Sequence, residues 1–521
     1  MNEKMQIALK KLEELQKQNL AGGNQTMIDR HVAKGKMLPR DRINALVDSG
    51  TFVEIGSAAR ATSERIDGKK LPVEESPCDG AITGYGRVND RPVAIYASDF
   101  SVLAGSLGQQ HIVKMVKIIE YAGQYRMPVV WLLDSAGGRL GWEDVAIAGV
   151  EWFFWPEGLF SGVVPQITVL MGPCIAGQAY APCMTDFLFM TRKTAHLWLG
   201  GPRMTQAATS EKMDDDVGSG DYHERHSGTC DKVGENDAET ISFVRQLMDY
   251  LPLSFADATV PRATQDPRHR KTPELMTIVP DDFNHTYDVR QVIACLADDA
   301  QYFEIREQYA KQICTAFAHI DGQPVGFVAC NPAFPGSIVT RDACDKYYRF
   351  LQVLDAYNIP LITLVDTPPT LPDEQEERLG VLRHIAKITH LYAGCTIPKI
   401  AVILRQACGD AGGIILGANK GMGVDMNVAW PIAEFSITAS AFSPCNIQEL
   451  GVNPAEWASI TEASRESVDA FEAAHTPTTQ LVDEIIHPEN TRTRLADSLW
   501  LLKNKSEQLP AKAKNHGAPP T

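Results

Sequence analysis

The feature of this sequence that most limits its possible folds is an internal repeat. In the first half, Arg91-Pro-Val-Ala-Ile-Tyr-Ala97 is followed by Met127-Pro-Val-Val-Trp-Leu-Leu-Asp134. In the second half, Gln323-Pro-Val-Gly-Phe-Val-Ala329 is followed by Ile359-Pro-Leu-Ile-Thr-Leu-Val-Asp366. Both matches have an offset of 232 residues, so the two halves share one pattern of strand-like segments.

A third pair of segments repeats at nearly the same spacing. Pro165-Gln-Ile-Thr-Val-Leu170 and Pro398-Lys-Ile-Ala-Val-Ile403 lie 233 residues apart. One match could arise by chance, because proline before a β-branched run is a common strand start. Three matches at nearly one offset predict that the chain consists of two copies of one domain.

Each copy alternates short apolar strands with helical stretches. Residues 108–126 and 379–394 carry apolar side chains at the spacing of a helix with one buried side, and residues 4–20 have a similar pattern that ends at Gly22 and Gly23. Apolar strands that alternate with helices predict an α/β fold with sheets buried on both faces. We expect the following organisation: an N-terminal domain at 1–260, a C-terminal domain at 261–505, a flexible tail at 506–521, and a linker within 257–271.

The composition excludes several classes of protein. Apolar residues make up 44% of the 521-residue chain and charged residues 22%, which is ordinary globular usage. Lys and Arg number 49 against 65 Asp and Glu, and the net charge of −16 argues against a protein that coats nucleic acid or an anionic membrane. The 11 cysteines form no C-x-x-C pair, and the N-terminus lacks the apolar core of a signal peptide. Both features predict a cytoplasmic protein.

Two glycine-rich segments follow strands at matching places in the two halves. They are Met171-Gly-Pro-Cys-Ile-Ala-Gly-Gln-Ala-Tyr180 and Arg405-Gln-Ala-Cys-Gly-Asp-Ala-Gly-Gly413. A run of small residues between a strand and a helix exposes backbone N–H groups, which is the geometry that binds an oxyanion. The alternative is a tight turn selected for packing alone. A third such segment, Asp134-Ser-Ala-Gly-Gly-Arg-Leu140, ends a strand, and we favour loop organisation or capping over catalysis for Asp134.

The remaining motifs do not identify a function. His223-Glu-Arg-His226 lacks the spacing of a zinc site, so we predict a solvated loop and no metal. The aromatic run Trp152-Phe-Phe-Trp155 is typical of a core or a subunit interface, with an apolar substrate pocket as the alternative. The sequence has no G-x-S-x-G, G-x-x-x-x-G-K-[ST] or G-x-G-x-x-G motif. Serine hydrolases, P-loop NTPases and dinucleotide oxidoreductases therefore lose their usual support.

Longer motifs identify a family. These motifs span nearly the whole chain: Gly35-Lys-Met-Leu-Pro-Arg-Asp-Arg-Ile43, Asp79-Gly-Ala-Ile-Thr-Gly-Tyr-Gly86, Ala104-Gly-Ser-Leu-Gly108, Pro173-Cys-Ile-Ala-Gly177, Ala181-Pro-Cys-Met-Thr-Asp-Phe187, Gly380-Val-Leu-Arg-His-Ile-Ala-Lys387 and Ala429-Trp-Pro-Ile-Ala-Glu434. With them, the chain resembles the carboxyltransferase (β) subunits of biotin-dependent acyl-CoA carboxylases, of the propionyl-CoA and methylcrotonoyl-CoA carboxylase type. The resemblance implies two tandem crotonase-like (ββα-superhelix) domains related by duplication. The N-terminal domain would bind acyl-CoA, and the C-terminal domain would bind biotin.

The resemblance also implies the chemistry and the partners. Biotin on a separate carrier protein supplies the carboxyl group and the base, and the protein stabilises two oxyanions with N–H donors. Ala176 and Gly177 would hold the thioester oxygen, and Asp410 with Ala411 the biotin carbonyl, from opposing subunits of a dimer. A biotin carboxylase and a biotin carrier would be separate chains, because no ATP-grasp-sized domain and no Ala-Met-Lys-Met site occur. The expected assembly is a homo-oligomer, a hexamer built from dimers, without membrane insertion or nucleic acid.

The chain departs from the family pattern at three places. The family has Gly-Gly at 176–177, Asp-Ser-Gly-Gly-Ala-Arg at 134–139 and Gly-Gly-Ala-Tyr-Asp at 409–413. The Asp410 carboxylate would disfavour a nearby anion, and Gly413 lacks a side chain that helps to select the acyl group, which predicts an acyl group bulkier than propionyl. Further binding residues are expected in the glycine segments and, as CoA-phosphate contacts, among nearby cations: Gly137, Gly138, Gly409, Gly412, Gly413, Arg40, Arg42 and Lys387.

Three alternatives to an acyl-CoA carboxylase subunit stay open. The first is the carboxyltransferase of a biotin-dependent decarboxylase or transcarboxylase, because the half-reaction is reversible. The second is a catalytically silent scaffold, which the altered glycine segments support. The third is a crotonase-type hydratase or thioesterase that acts without biotin, for which the sequence supplies no compelling acid/base pair.

Overall fold

The chain forms two compact units, residues 1–257 and 258–521. The computed structural model describes these residues: 3–61, 75–139, 150–214, 216–334, 337–370, 373–436, 467–475 and 482–511. The predicted tail lies outside the described residues from position 512 onward. The predicted linker 257–271 has neither helix nor strand.

The first unit is built around one mixed sheet. Its strands are β1 Val53–Ile55, β2 Ala81–Val88, β3 Arg91–Ser98, β4 Val129–Leu133, β5 Gln166–Leu170, β6 Pro173–Ile175, β7 Phe187–Thr191, β8 His196–Trp198 and β9 Lys232–Gly234. The strand order is β1-β2-β3-β4-β5-β7-β9, while β6 and β8 form a separate parallel pair. Strands β1 to β3 are antiparallel and the strands from β3 to β9 are parallel. Every residue of β4, β5 and β7 is buried, as the continuous apolar runs predict.

Helices cover this sheet. The helix predicted at 108–126 is confirmed as Gln109–Tyr125, and its residues Ile112, Met115 and Ile119 pack into the core beside Trp131 of β4. Arg126 ends the helix in the left-handed conformation. The other described helices of the unit are Glu3–Ala21, Gln25–Val32, Pro39–Leu46, Phe154–Leu159, Tyr180–Met184, Gly201–Thr209, Gly220–Tyr222 and Asp237–Leu247.

The N-terminal helix confirms the predicted element but not its packing. The helix spans Glu3–Ala21 and has Gly22 in a left-handed conformation directly after it. Its apolar side chains Met5, Leu9 and Leu12 are exposed within this chain. The pattern therefore predicts the helix correctly, whereas its apolar stripe does not join the core of the unit.

The second unit has a sheet of similar construction. Its strands are β10 Tyr302–Ile305, β11 Ile313–Ile320, β12 Gln323–Cys330, β13 Leu361–Thr367, β14 Lys399–Cys408, β15 Met426–Ala429, β16 Glu434–Ser436, β17 Ser467–Asp469 and β18 Glu484–Ile485. The order is β10-β11-β12-β13-β14-β15-β18, and β16 pairs with β14 and β17. Strands β10 to β12 are antiparallel, and the strands from β12 to β15 are parallel. All residues of β11, β13 and β14 are buried.

The helix predicted at 379–394 is confirmed as Val381–Gly394. The other described helices of this unit are Leu275–Ile278, Val289–Leu296, Arg341–Ala356, Glu374–Arg378, Ala470–His475 and Thr491–Leu502. The core brings Val292, Phe327 and Leu364 together with Val402 and Leu495. Across the described part of the chain, no helix is long and apolar enough to cross a membrane.

The repeated sequence segments occupy equivalent elements in the two units. They form β3 and β12, then β4 and β13, then β5 and β14. Each sheet begins with two antiparallel strand pairs and continues with parallel neighbours. The protein is therefore a mixed α/β protein whose two units place their strand ends at equivalent sequence positions.

Candidate active site

Two strand ends of the first unit lie side by side. The Ser135 N–H, in the loop after β4, donates to the Pro173 carbonyl of β6 at 3.0 Å. Gly137 has a φ of +87°, and a Cβ at this position would lie 2.9 Å from the Ile175 carbonyl oxygen. The close approach of the two backbones therefore requires glycine at 137.

The turn after β6 presents one available N–H group. Ala176 has a φ of +60°, and its N–H donates to the Leu199 carbonyl at 3.1 Å. Gly177 is the second residue of the 3-10 turn Ala176–Ala179, so its N–H has no acceptor within the turn. Gly177 is thus the available donor of the predicted pair, and Ala176 fixes the direction of the backbone.

Gly138 contributes a second donor from the neighbouring loop. The Leu107 N–H donates to the Gly137 carbonyl at 2.9 Å, and the Arg139 N–H donates to the Leu107 carbonyl at 3.1 Å. In this parallel bridge the N–H of the intervening Gly138 points away from Leu107. We call Gly138, Ala176 and Gly177 the first turn.

A buried ionic network lies directly beneath the loop. The Asp134 carboxylate is fully buried and accepts Lys36 Nζ at 2.5 Å and Arg42 Nη1 at 3.1 Å. Burial lowers the pKa of the Lys36 ammonium group despite the adjacent carboxylate. Asp134 is therefore held inside the protein, where it organises the loop that begins at Ser135.

Arg42, expected at a CoA phosphate, lies in this network instead. Its side chain is fully buried, and its second contact is Asp237 at 2.7 Å from Nη2. A guanidinium held between two buried carboxylates cannot reach a phosphate in the solvent. The other two expected phosphate contacts are half-buried and already paired, Arg40 with Glu54 at 2.9 Å and Lys387 with Asp345 at 2.9 Å.

A cationic cavity that the sequence analysis missed opens at Pro173, the first residue of β6. It has a volume of about 860 Å³, and its lining includes Arg30, Lys34, Lys36, Phe100, Pro173 and Lys193. Arg30, Lys34 and Lys193 are exposed, and among the described residues none of them forms an ion pair. These cations are far apart in sequence, so only the fold reveals that they surround one cavity next to β6.

The second unit has a corresponding turn after β14. Gly409 has a φ of +55°, close to that of Ala176. Ala411 begins the helical turn Ala411–Ile415, so its N–H has no acceptor within the turn. A Cβ on Gly412 would lie 2.6 Å from the Ala407 backbone, whereas the nearest described atom to a Cβ on Gly413 would belong to Asn419, at 3.9 Å. We call Thr370 and residues 409–413 the second turn.

A carboxylate distinguishes the second turn from the first. Asp410 Oδ1 accepts the N–H of Thr370, in the loop after β13, at 3.2 Å. The offsets of the internal repeat place Thr370 opposite Gly138 and Asp410 opposite Gly177. The strand-end aspartate of this unit, Asp366, is also buried and held by a cation, Arg405 Nε at 2.8 Å. The two turns have similar backbones, but the second turn contains a carboxylate, that of Asp410, which hydrogen-bonds within the turn.

Two further sequence features have a structural role. Phe153 is fully buried, whereas Trp152 is 54% exposed and Trp155 is 74% exposed, so the aromatic run divides between core and surface. His223 hydrogen-bonds through Nε2 to the Leu197 carbonyl at 3.0 Å. The predicted solvated loop is instead a helical turn, His223–Ser227, in which Glu224 is buried, and the His223 contact ties this turn to β8.

Comparison with known proteins identifies the family. The carboxyl transferase domain family matches residues 30–516. The methylmalonyl-CoA decarboxylase subunit alpha of Propionigenium modestum is 34% identical over 98% of this chain and 99% of its own length. The propionyl-CoA carboxylase beta chain of Roseobacter denitrificans is 35% identical, with the same coverage.

Solved structures agree with this assignment. The transcarboxylase 12S crystal structure, a hexamer with hydrolysed methylmalonyl-coenzyme A bound, superimposes with a TM-score of 0.89 at 32% identity and covers 98% of both chains. The resemblance drawn from the sequence motifs is confirmed. This chain belongs to the carboxyl transferase family, and it is a carboxyltransferase enzyme.

Proposed function

We propose that this carboxyltransferase moves a carboxyl group between carrier-bound biotin and the α-carbon, or the vinylogous carbon, of an acyl-CoA. The observation that carries the proposal is the first turn, which presents backbone N–H groups from two loops in the same unit as the cationic cavity at the start of β6. Such paired donors stabilise the negative charge that develops on a thioester oxygen when the adjacent carbon loses a proton or carbon dioxide.

The first turn supplies the thioester side of the reaction. The N–H groups of Gly138 and Gly177 donate to the thioester oxygen, while Ala176 is engaged with Leu199 and acts by orienting the turn. Arg30, Lys34 and Lys193 contact the CoA phosphates along the cavity. This assignment replaces Arg40, Arg42 and Lys387, whose charges are already paired.

The second turn fits biotin only in part. When bound, carboxybiotin supplies the carboxyl group and takes up the α-proton. The Ala411 N–H and the open space beside Gly413 suit the ureido carbonyl and the ring of biotin. The Asp410 carboxylate does not suit an oxygen that gains negative charge, so we derive no step on this side.

Whether the enzyme carboxylates or decarboxylates its acyl-CoA in the cell depends on the subunits with which it works. The relatives named above include a carboxylase and a decarboxylase at nearly equal identity. We favour an acyl-CoA carboxylase that works with separate biotin carboxylase and biotin carrier chains, with a decarboxylase or transcarboxylase as the second candidate. The hexameric transcarboxylase supports a hexamer built from dimers, and the equivalent strand orders support two crotonase-like domains that arose by duplication.

The acyl group is larger than propionyl in this proposal. Gly413 has no side chain, and the nearest atom to an added Cβ is 3.9 Å away, which leaves room in the second turn. A comparison of rates with propionyl-CoA and with branched or aromatic thioesters tests this point. Clear preference for propionyl-CoA would reject it.

The test of the function uses the purified full chain, free biotin and a panel of α-carboxylated acyl-CoA thioesters. Mass spectrometry follows the decarboxylated thioester with and without biotin. We expect biotin-dependent decarboxylation of at least one thioester. Binding of thioesters without any turnover would favour the silent scaffold, and turnover without biotin would favour the crotonase-type enzyme.

A further inference from the structure

The second turn holds an anion of its own at the position where the first turn has a free donor. Asp410 corresponds to Gly177 in the internal repeat, and Thr370 corresponds to Gly138. The Thr370 N–H, which is the counterpart of a proposed thioester donor, donates to Asp410 Oδ1 at 3.2 Å.

We infer that the Asp410 carboxylate occupies the second turn as an internal ligand of the Thr370 N–H. It must leave this N–H before an external carbonyl oxygen can accept from both the Thr370 and the Ala411 N–H groups. This inference rests on the proposed function, because it concerns the biotin side of the same reaction. It makes Asp410 the residue that determines how tightly the second turn binds a ureido carbonyl.

A capping role does not explain this side chain. Asp410 has helical dihedral angles, with φ −68° and ψ −39°, and its carboxylate makes no hydrogen bond to the N–H groups of the turn that it precedes. It reaches instead to a different loop, after β13. The Thr370 hydroxyl, by contrast, is buried without a hydrogen-bond partner among the described residues. The Thr370 hydroxyl is therefore an unused donor beside the Thr370 N–H, which Asp410 occupies.

The surroundings do not neutralise the carboxylate. Within the described part of the chain, Asp410 has no ion pair, because the nearby Lys387 and His384 both donate to Asp345. The pKa of the buried Cys344 thiol is raised by burial and further by the carboxylates of Asp345, Asp410 and Glu376, against a smaller opposing effect of Lys387. An added oxygen with negative charge would therefore enter an acidic environment.

The geometry predicts a graded response to substitution. Asp410→Ala removes both the charge and the competing acceptor, whereas Asp410→Asn removes the charge and retains an acceptor for the Thr370 N–H. Because the Asp410 carboxylate competes with a neutral ureido carbonyl for the Thr370 N–H, we expect Asp410→Ala to bind an uncharged biotin derivative about ten-fold more tightly than the wild type. Asp410→Asn should lie between the two.

The experiment measures the dissociation constant of biotinamide by isothermal titration calorimetry with the full-length chain. Glu374→Ala is the matched control, because Glu374 is an exposed carboxylate on the next helix and is paired with Arg378. This control should bind like the wild type. The kcat/KM for free biotin in the thioester decarboxylation assay provides a second readout, in which both Asp410 variants should have a higher value than the wild type.

Equal or weaker binding of biotinamide by Asp410→Ala, at an unchanged unfolding temperature, would overturn the inference. So would an absence of biotinamide binding in all variants, because removal of the carboxylate should expose the donor. Either result leaves the thioester side to be judged separately by biotin-dependent turnover of the wild type. The failure of this inference is therefore distinguishable from failure of the proposed function.

Discussion

The environment of Arg42 favours a structural role in a buried ion pair over a role in binding a CoA phosphate. It lies fully buried between Asp134 and Asp237, so its removal leaves two carboxylates in the interior without their shared cation. Breaking such a buried pair costs roughly 3–5 kcal/mol, and we expect Arg42→Met to lower the unfolding temperature by roughly 6–12 °C. Differential scanning calorimetry measures the change. An unchanged unfolding temperature with a raised KM for the thioester would restore the phosphate-binding interpretation.

Glu157 predicts a pH dependence of stability. Burial raises its pKa to about 8, and neither carboxylate oxygen has a hydrogen-bond partner among the described residues. The folded state keeps a proton that the unfolded state releases above about pH 4.5, so stability falls as the pH rises from about 4.5 to about 8.

Glu157→Gln removes this penalty. We expect the variant to be more stable than the wild type by about 3 kcal/mol at pH 7, and the difference to shrink towards zero near pH 4.5. Denaturant unfolding at several pH values measures it. A constant difference across this range would show that Glu157 does not titrate with folding.

The sequence predicts some of these residues and not others. The internal repeat and the small residues locate Gly138, Gly177 and Asp410, because backbone turns leave a local signature. The partner of Arg42 is 195 residues away and that of Asp410 is 40 residues away, and no local pattern reveals such contacts. The equivalence of Thr370 and Gly138 does follow from the sequence, because they are separated by the repeat offset of 232 residues.

At the scale of elements, the strands and helices follow closely from their patterns. Continuous apolar runs become fully buried strands, and the helices Gln109–Tyr125 and Val381–Gly394 lie where their periodicity predicts. The N-terminal helix shows the limit of this approach, because periodicity defines an apolar stripe but not what the stripe contacts. The cavity beside β6 was equally inaccessible, since its cations come from separate elements.

The cavity assignment predicts the behaviour of its lysines. Lys34→Ala and Lys193→Ala each remove an exposed cation that has no ion pair within the described ranges, and we expect each to raise the KM for the CoA thioester about three- to ten-fold at low salt, with little change in kcat. The effect should diminish at high ionic strength. Lys212→Ala, an exposed lysine outside the cavity lining, is the control. Equal KM values for all three variants would place the phosphates elsewhere.

At the scale of the whole molecule, the two units differ in what their turns can bind. The first turn presents the N–H groups of Gly138 and Gly177, and its unit also holds the cationic cavity, while the second unit has a similar backbone turn in which Asp410 accepts the Thr370 N–H. Family membership explains the shared scaffold of the two units. In our proposal, the difference between the two turns assigns the thioester chemistry to the first unit.

The most direct measurement of this account is the rate of biotin-dependent decarboxylation by Gly177→Pro and Gly177→Ala. Proline removes the N–H donor, whereas alanine retains it and its Cβ meets no atom within 4 Å. We predict that Gly177→Pro loses about 10²–10³ in kcat, while Gly177→Ala stays within about three-fold of the wild type. Wild-type turnover by a folded Gly177→Pro variant would contradict the claim that this backbone donor holds the thioester oxygen.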